Sequence, residues 1–512
     1  MDERGGRDRG DDTYEGSRRN RSSTNTSVVD GFTMMSVEGE TVTDDADART
    51  TMPARAPVGR GMSMDDDGDD VGTTTSAKTE RYALYACFLA IGMGTLFPWN
   101  VFITERPYFE RRLRDASEGV AKNFEAAFAN AYAGSNLIGV LACVRFGLVE
   151  RLTSNRSRLA APLVGIALCV WTCALATRAS GWSGDAIFAQ TMIVIIFVGA
   201  ATALAQGGGF AVASDLPPVY AQAIMSGQAA SGVAVSLVAL ITTAGAGGAT
   251  TDGASTTQAE IYFYVATLVL LTCAAATWYM EKIPLYGRYE SVVTANAQRE
   301  YANAETSALL GGTDTDGEDA DDIESRETMS DALTRLPESS RWFGHGDIRN
   351  YRLVVLVTFI ATLSVFPSVT SAIESSHGAL GELWSPTLFL LFNIGDLLGR
   401  HLATVYPKSP PSGAALLKTA TLRFVFVPLL TTCRVTTPGW RPPALFTSDI
   451  FPIFFIFTLA LSNGWIASLG MMYGPSVSPA SLRAREGVVL TLALVAGIFL
   501  GTLLSLVIIA LL

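Results

Sequence analysis

The sequence predicts an all-α polytopic membrane protein whose eleven transmembrane helices fall into a group of six and a group of five. Two observations carry that expectation. Of 512 residues, 49% are apolar and only 17% charged, with mean hydropathy +0.30, too apolar for soluble domains unless the charge is set apart. It is set apart. The acidic excess behind the formal net charge of −11 lies in residues 1 to 80 and about 290 to 348. The remainder breaks into apolar windows of about 20 residues, the helical length that crosses about 30 Å of hydrocarbon. The chain thus divides into a polar tail (1–79), a six-helix bundle (80–281), an acidic connection (282–349) and a five-helix bundle (350–512).

The tail mixes Arg, Asp, Gly, Ser and Thr, with the runs Asp65-Asp66-Asp67 and Asp69-Asp70 and no hydrophobic period. Such a segment cannot bury enough apolar surface to fold, and it lacks the apolar core of a cleavable signal, so it is expected to remain disordered in the cytosol. Six apolar windows follow at about 82–104, 123–145, 159–179, 185–212, 217–244 and 260–281. The connection carries Asp314, Asp316, Glu318, Asp319, Asp321, Asp322 and Glu324 and is expected to be disordered as well. Five more windows lie at about 350–373, 383–406, 413–433, 447–472 and 486–511.

Eleven crossings place the termini on opposite sides. Arg145, Arg151, Arg156 and Arg158 after span two, His401 and Lys408 after span eight, and Arg483 and Arg485 before span eleven favour a cytosolic N-terminus, with the C-terminus outside or luminal. The loop after span one opposes this with Arg106, Arg111, Arg112, Arg114 and Lys122, partly offset by Glu105, Glu110, Asp115 and Glu118. On this topology the sequons at Asn20, Asn25 and Asn155 stay unglycosylated.

Thr95-Leu96-Phe97-Pro98 in span one and Ser364-Val365-Phe366-Pro367 in span seven put a proline at similar depth in each group, where it removes a backbone hydrogen bond and kinks the helix. Asn136 before Arg145 in span two answers Asn393 before Arg400 in span eight. The agreement favours two parallel halves that rock around a site at the midplane. Gly207-Gly208-Gly209 and the series Gly227, Ser231, Gly232, Ser236 suit close helix packing. The six cysteines all fall inside spans as small apolar residues, and the three histidines lack metal-ligand spacing. No phosphate loop, nucleophile elbow or zinc-protease motif is present, which argues against hydrolysis and primary active transport.

Asp396 and Arg400, four residues apart in an otherwise apolar span, are the strongest functional candidates. On a helix they share one face, and charge inside a bilayer is costly enough to imply a use. Together they present an acceptor and a donor side by side, where a substrate is expected to be held. The plainer reading is a salt bridge locking the cytosolic end of span eight, and the two roles can coexist. Gln206 can donate and accept together, or simply tie two helices; Trp99 offers a flat ring face, or ordinary packing. Arg423 is expected to snorkel to the cytosolic face or to pair with Asp215 or Glu486. Glu125 is the other acid that could carry a proton.

The motifs then become specific. Span one reads Gly92-Met93-Gly94-Thr95-Leu96-Phe97-Pro98-Trp99-Asn100. Spans four and five carry Gln206-Gly207, Pro217-Pro218-Val219-Tyr220 and Met225-Ser226-Gly227-Gln228. Span eight has Phe392-Asn393 and Asp396-Leu397-Leu398-Gly399-Arg400, span nine Arg423-Phe424-Val425-Phe426-Val427-Pro428, and span ten Leu461-Ser462-Asn463-Gly464-Trp465. Over residues 80 to 512 this pattern resembles the equilibrative nucleoside transporter family.

The resemblance implies facilitated diffusion of nucleosides, sometimes nucleobases, by alternating access in a fold related to the major facilitator superfamily. It implies that Asp396 and Arg400 hold the ribose hydroxyls, that Gln206 reads the base, and that Trp99 and Leu96 wall the cavity. Asn393 matches a supporting polar residue one turn before Asp396. The chain departs from the family in having Leu397 where a tryptophan is usual, a short loop after span one and long polar tails. The expected partners are a nucleoside or nucleobase and the lipid bilayer, with no cofactor, metal or nucleic acid, and a monomer is expected to suffice. The plasma membrane is the expected location. An endosomal or vacuolar membrane stays open because Glu305-Thr306-Ser307-Ala308-Leu309-Leu310 fits an acidic dileucine signal. The alternatives are a proton-coupled nucleoside or nucleobase transporter and a non-transporting membrane sensor or scaffold.

Overall fold

The computed structural model describes residues 75–152, 154–179, 181–245, 252–310, 346–378, 380–436 and 443–512, nearly all of them helical. The tail before residue 75, the acidic stretch 311–345, His345 and the sequons at Asn20 and Asn25 lie outside the described residues. Among those described, eleven helices are long and apolar enough to cross a bilayer. The first six are Ser76–Phe102, Asn123–Phe146, Arg156–Thr177, Gly184–Ser214, Val219–Ile241 and Ala259–Met280. The second five are Gly346–Ser371, Gly381–Val405, Gly413–Thr431, Ile450–Val477 and Ala480–Leu511.

Two local features differ from expectation. Pro98 sits inside a helix that runs unbroken from Thr75 to Thr104, whereas in span seven the helix ends at Leu363 and a short turn of helix, Ser368–Ser371, follows Pro367. A further helix, Pro284–Leu310, occupies part of the expected acidic connection. Its polar sequence shows no apolar window, and tertiary contacts hold it. Arg288 pairs with Glu80 at 2.5 Å, Asn155 Nδ2 donates to the Tyr286 hydroxyl at 2.7 Å, and the rings of Tyr289 and Tyr220 meet edge to face. That bond leaves the Asn155 amide buried and engaged.

The packing repeats between the groups. Span one lies chiefly on span five and span two on span four; span seven lies on span eleven and span eight on span ten. Each pairing in the second group matches one in the first six spans earlier, as two like halves require. Spans five and eight, and span eleven with spans two and four, join the halves. Small residues make the closest of these seams. A Cβ on Gly92 would lie 2.0 Å from the Ile224 carbonyl oxygen, and one on Gly227 would lie 1.9 Å from that of Leu89, so the backbones of spans one and five touch.

The hydrophobic cores show where the halves meet. On the side of the 282–345 connection, one cluster draws on both halves: Leu84, Phe88, Phe210, Met225 and Met280 pack with Val355, Phe359, Met471 and Leu490. At the opposite end each half keeps its own core, one around Phe97, Phe128 and Phe263, the other around Val365, Leu388 and Phe455. The halves are therefore closed against each other on the connection side.

The basic loop after span one forms a short helix, Arg106–Arg112, laid over the first half. Arg112 donates to the carbonyls of Ala179 and Trp182, and Asp115 accepts from the Gly184 amide, so these charges bind the loop between spans three and four. Glu105 is buried beneath them. Burial pushes its carboxyl from 4.5 up to about 7, with Arg111 opposing the rise. Because the folded pKa lies above the unfolded one, the folded state is penalised increasingly as pH climbs from 4.5 and most fully above 7. Glu105→Gln is expected to stabilise the detergent-solubilised protein by on the order of 2 kcal/mol at pH 8 and far less at pH 5. Melting temperatures at the two pH values check this, and equal shifts at both would contradict it.

Candidate functional site

Gly399 and Gly464 set the geometry of the charged centre. A Cβ on Gly399 would lie 2.1 Å from the Leu461 carbonyl oxygen, and one on Gly464 would lie 2.0 Å from the Asp396 carbonyl oxygen. Spans eight and ten therefore meet backbone to backbone. That contact carries Asn463 against Asp396, one turn before Arg400.

Asp396 and Arg400 are each only 5% exposed. Arg400 Nε donates to Asp396 Oδ2 at 2.8 Å, and Asn463 Nδ2 donates to Asp396 Oδ1 at 2.7 Å. Arg400 Nη1 donates to the Met225 carbonyl of span five, across the boundary between halves. Gln222 Nε2 returns the contact, donating to the Arg400 carbonyl at 2.9 Å, while its Oε1 accepts from the Tyr85 hydroxyl at 3.0 Å. The ion pair thus belongs both to span eight and to the closed seam between halves. Two capacities remain. The carboxylate oxygens keep lone pairs beyond the single donor each receives, and Arg400 Nη2 takes no partner among the described residues.

Arg423 does not snorkel and pairs with neither Asp215 nor Glu486. It is 3% exposed and donates to the Thr358 and Leu459 carbonyls and to the Thr362 and Ser462 hydroxyls. Its partners lie on spans seven and ten, which enclose the start of the helical turn Arg423–Val425 and leave no path to the membrane surface. Glu486 pairs instead with Arg352, whose Nε donates at 2.8 Å, and Asp215 lies near Arg158 and Arg483. Burial raises the Asp215 carboxyl to about 6 against those two cations.

The remaining candidates are dispersed. Asn393 Nδ2 donates to Ser236 at 2.8 Å and to the Phe389 carbonyl at 3.0 Å, tying span eight to span five rather than to Asp396. Trp99 stacks on Tyr132 with ring centres 4.6 Å apart and planes 13° apart, and Leu96 is half-buried one turn before it. Gln206 is buried and makes no hydrogen bond with the described residues. Among the described residues no hydrogen bond joins Trp99, Leu96 or Gln206 to the ion pair. Glu125 is exposed on span two. Sequence reading assigned no role to Asn463, Gln222 or Thr362, although each is a polar side chain in an apolar window, which is the signal that marks them.

Among the described residues no group of His, Cys, Asp or Glu side chains could hold a metal ion. A groove of about 820 Å³ lined by Asn350, Leu417, Lys418 and Leu422 contains none of the residues above.

Residues 192–510 match the model of the nucleoside transporter family, well over half of the chain and all the spans that build the charged centre. The chain belongs to that family. Curated relatives are matched over most of their length. The chain is 29% identical to equilibrative nucleoside transporter 2 of Homo sapiens, over 82% of this chain and 95% of that one, and 28% identical to equilibrative nucleoside transporter 1 of Homo sapiens, over 85% and 98%. It is also 28% identical to equilibrative nucleotide transporter 1 of Arabidopsis thaliana, over 85% and 88%. Among solved structures, this family member resembles the major facilitator superfamily proton:xylose symporter XylE with a TM-score of 0.51 at 12% identity, over 83% of this chain and 87% of that one. At that identity the likeness concerns the fold. The two like halves described above are that fold.

Proposed function

We propose that the chain carries nucleosides down their gradient across a membrane by alternating access, with the ribose hydroxyls held between Asp396 and Arg400. The observation that carries this is a buried acid and base at the seam between halves, each with hydrogen-bonding capacity left over. Membership of the nucleoside transporter family supports the substrate class. Gln206 is the candidate for the base edge because its buried amide is unengaged, and Trp99 and Leu96 are the candidates for the cavity wall. Asn393 holds span eight, which carries Asp396, against span five.

Closure of the halves on the connection side fits a site open to the opposite face. With residues 1–79 and 282–349 in the cytosol, that face is outside or luminal, in the plasma membrane on our reading. Antibody access to a C-terminal epitope on intact cells checks the orientation. The transport reading is tested by uptake of radiolabelled adenosine and uridine into transporter-deficient cells. Saturable uptake that survives collapse of the proton gradient is expected. Uptake that disappears with the gradient would support a proton-coupled transporter, and no uptake at normal surface abundance would leave a sensor or scaffold.

A further inference from the structure

Arg423 poses a problem that the proposed site does not answer. It is a buried guanidinium whose four hydrogen bonds all go to neutral oxygens: Thr358 O and Thr362 Oγ1 at 2.7 Å, and Leu459 O and Ser462 Oγ at 3.0 Å. A buried cation without a bonded anion is costly, and simple packing would be served better by an apolar residue. The carboxylate it reaches through hydrogen-bonded side chains is Asp396.

A directed chain of hydrogen bonds connects the two. Arg423 Nη2 donates to Thr362 Oγ1 at 2.7 Å, Thr362 Oγ1 donates to Asn463 Oδ1 at 2.7 Å, and Asn463 Nδ2 donates to Asp396 Oδ1 at 2.7 Å. Its direction is fixed at both ends, because a guanidinium only donates and a carboxylate only accepts. The Asn463 amide must turn its nitrogen to Asp396, so its oxygen needs a donor. The Thr362 hydroxyl supplies its single proton there at 2.7 Å, the shorter of its two contacts, while Thr358 O at 2.9 Å accepts from Arg423 Nη1. Each bond polarises the next in the same sense.

We propose that Arg423 is a positioning residue, which through Thr362 and Asn463 fixes the plane of the Asp396 carboxylate so that its free lone pairs meet the sugar hydroxyls. This rests on the ribose-holding reading above. Span seven contributes Thr362, span nine Arg423 and span ten Asn463, so three helices of the second half converge on one carboxylate that faces the first.

The test compares KM for uptake of adenosine and of 2′,3′-dideoxyadenosine at matched surface abundance. Thr362→Val keeps the shape but can neither accept from Arg423 nor donate to Asn463. It is expected to raise the adenosine KM about 10-fold, the scale of one hydrogen bond to a charged group, and to move the dideoxyadenosine KM less than about twofold. Thr362→Ser, which keeps the hydroxyl, is expected to restore the wild-type ratio. A merely structural role would lower both uptakes together, and that outcome, or an unchanged ratio, overturns the proposal. If Thr362→Val does not reach the membrane, Arg423→Lys, which keeps the charge but cannot make the forked contacts, undergoes the same comparison with the same outcomes. A wild-type protein that fails to distinguish the two sugars would instead remove the ribose-holding reading itself.

Discussion

Asp396→Asn is expected to reduce nucleoside uptake about 100-fold or more at unchanged surface abundance. The substitution keeps the side chain's size, so the loss would not come from a cavity. It comes from donors. Both groups bonded to the carboxylate are N–H groups, Arg400 Nε on one oxygen and Asn463 Nδ2 on the other. Whichever way an asparagine amide turns, its NH2 faces one of them. Arg400, 5% exposed, also loses its counter-charge, and breaking a buried pair from one side costs on the order of 3 to 5 kcal/mol. Arg400→Ala should have a comparable effect, since it removes the ion pair, the bond to the Met225 carbonyl and the uncommitted Nη2 together. Uptake assays normalised to surface labelling read both. Normal transport by both variants would show that the pair is only a structural bridge.

The second large effect is expected at Gly464. A methyl group there would fall 2.0 Å from the Asp396 carbonyl oxygen and 2.8 Å from the Arg400 amide nitrogen. Neither is the mobile end of a side chain, so span eight or span ten must move by more than an ångström. Overpacking of this kind costs about 1 to 3 kcal/mol or more, and the movement displaces Asn463 from Asp396. Gly464→Ala is expected to lower uptake per surface molecule at least tenfold or to abolish surface expression. Gly287→Ala, on the helix after span six with nothing within 4 Å of the added methyl, is the matched control and should behave as wild type. Near-normal uptake by Gly464→Ala would mean that the close seam does not hold the site.

The spans were legible because each needs only a long apolar window, and their ends agree with the structure to within several residues. The helix Pro284–Leu310 was not legible, because it is polar and carries no apolar window to set it apart as a helix. It is held by Glu80, Asn155 and Tyr220, contacts that local sequence does not encode. At the charged centre, the i, i+4 spacing of Asp396 and Arg400 foretold their bond directly. Arg423 was misread for the opposite reason. Its acceptors lie 36 to 65 residues away on other spans, so only the assembled bundle distinguishes a buried cation from one that snorkels. The same limit hid Asn463, whose neighbour Gly464 carries it to Asp396. Trp99 and Gln206 rest on the motif resemblance alone; Trp99 stacks on Tyr132, and Gln206 makes no hydrogen bond with the described residues.

The central claim is that gradient-driven exchange of nucleosides occurs at one alternating site, and entrance counterflow in proteoliposomes tests it most directly. Purified protein is reconstituted with unlabelled adenosine inside and labelled adenosine outside, with no ion gradient. A transient overshoot of labelled adenosine above its equilibrium level is expected from the wild type and is expected to vanish in Asp396→Asn. Monotonic entry without overshoot, or an overshoot that appears only under an imposed pH gradient, would contradict the account.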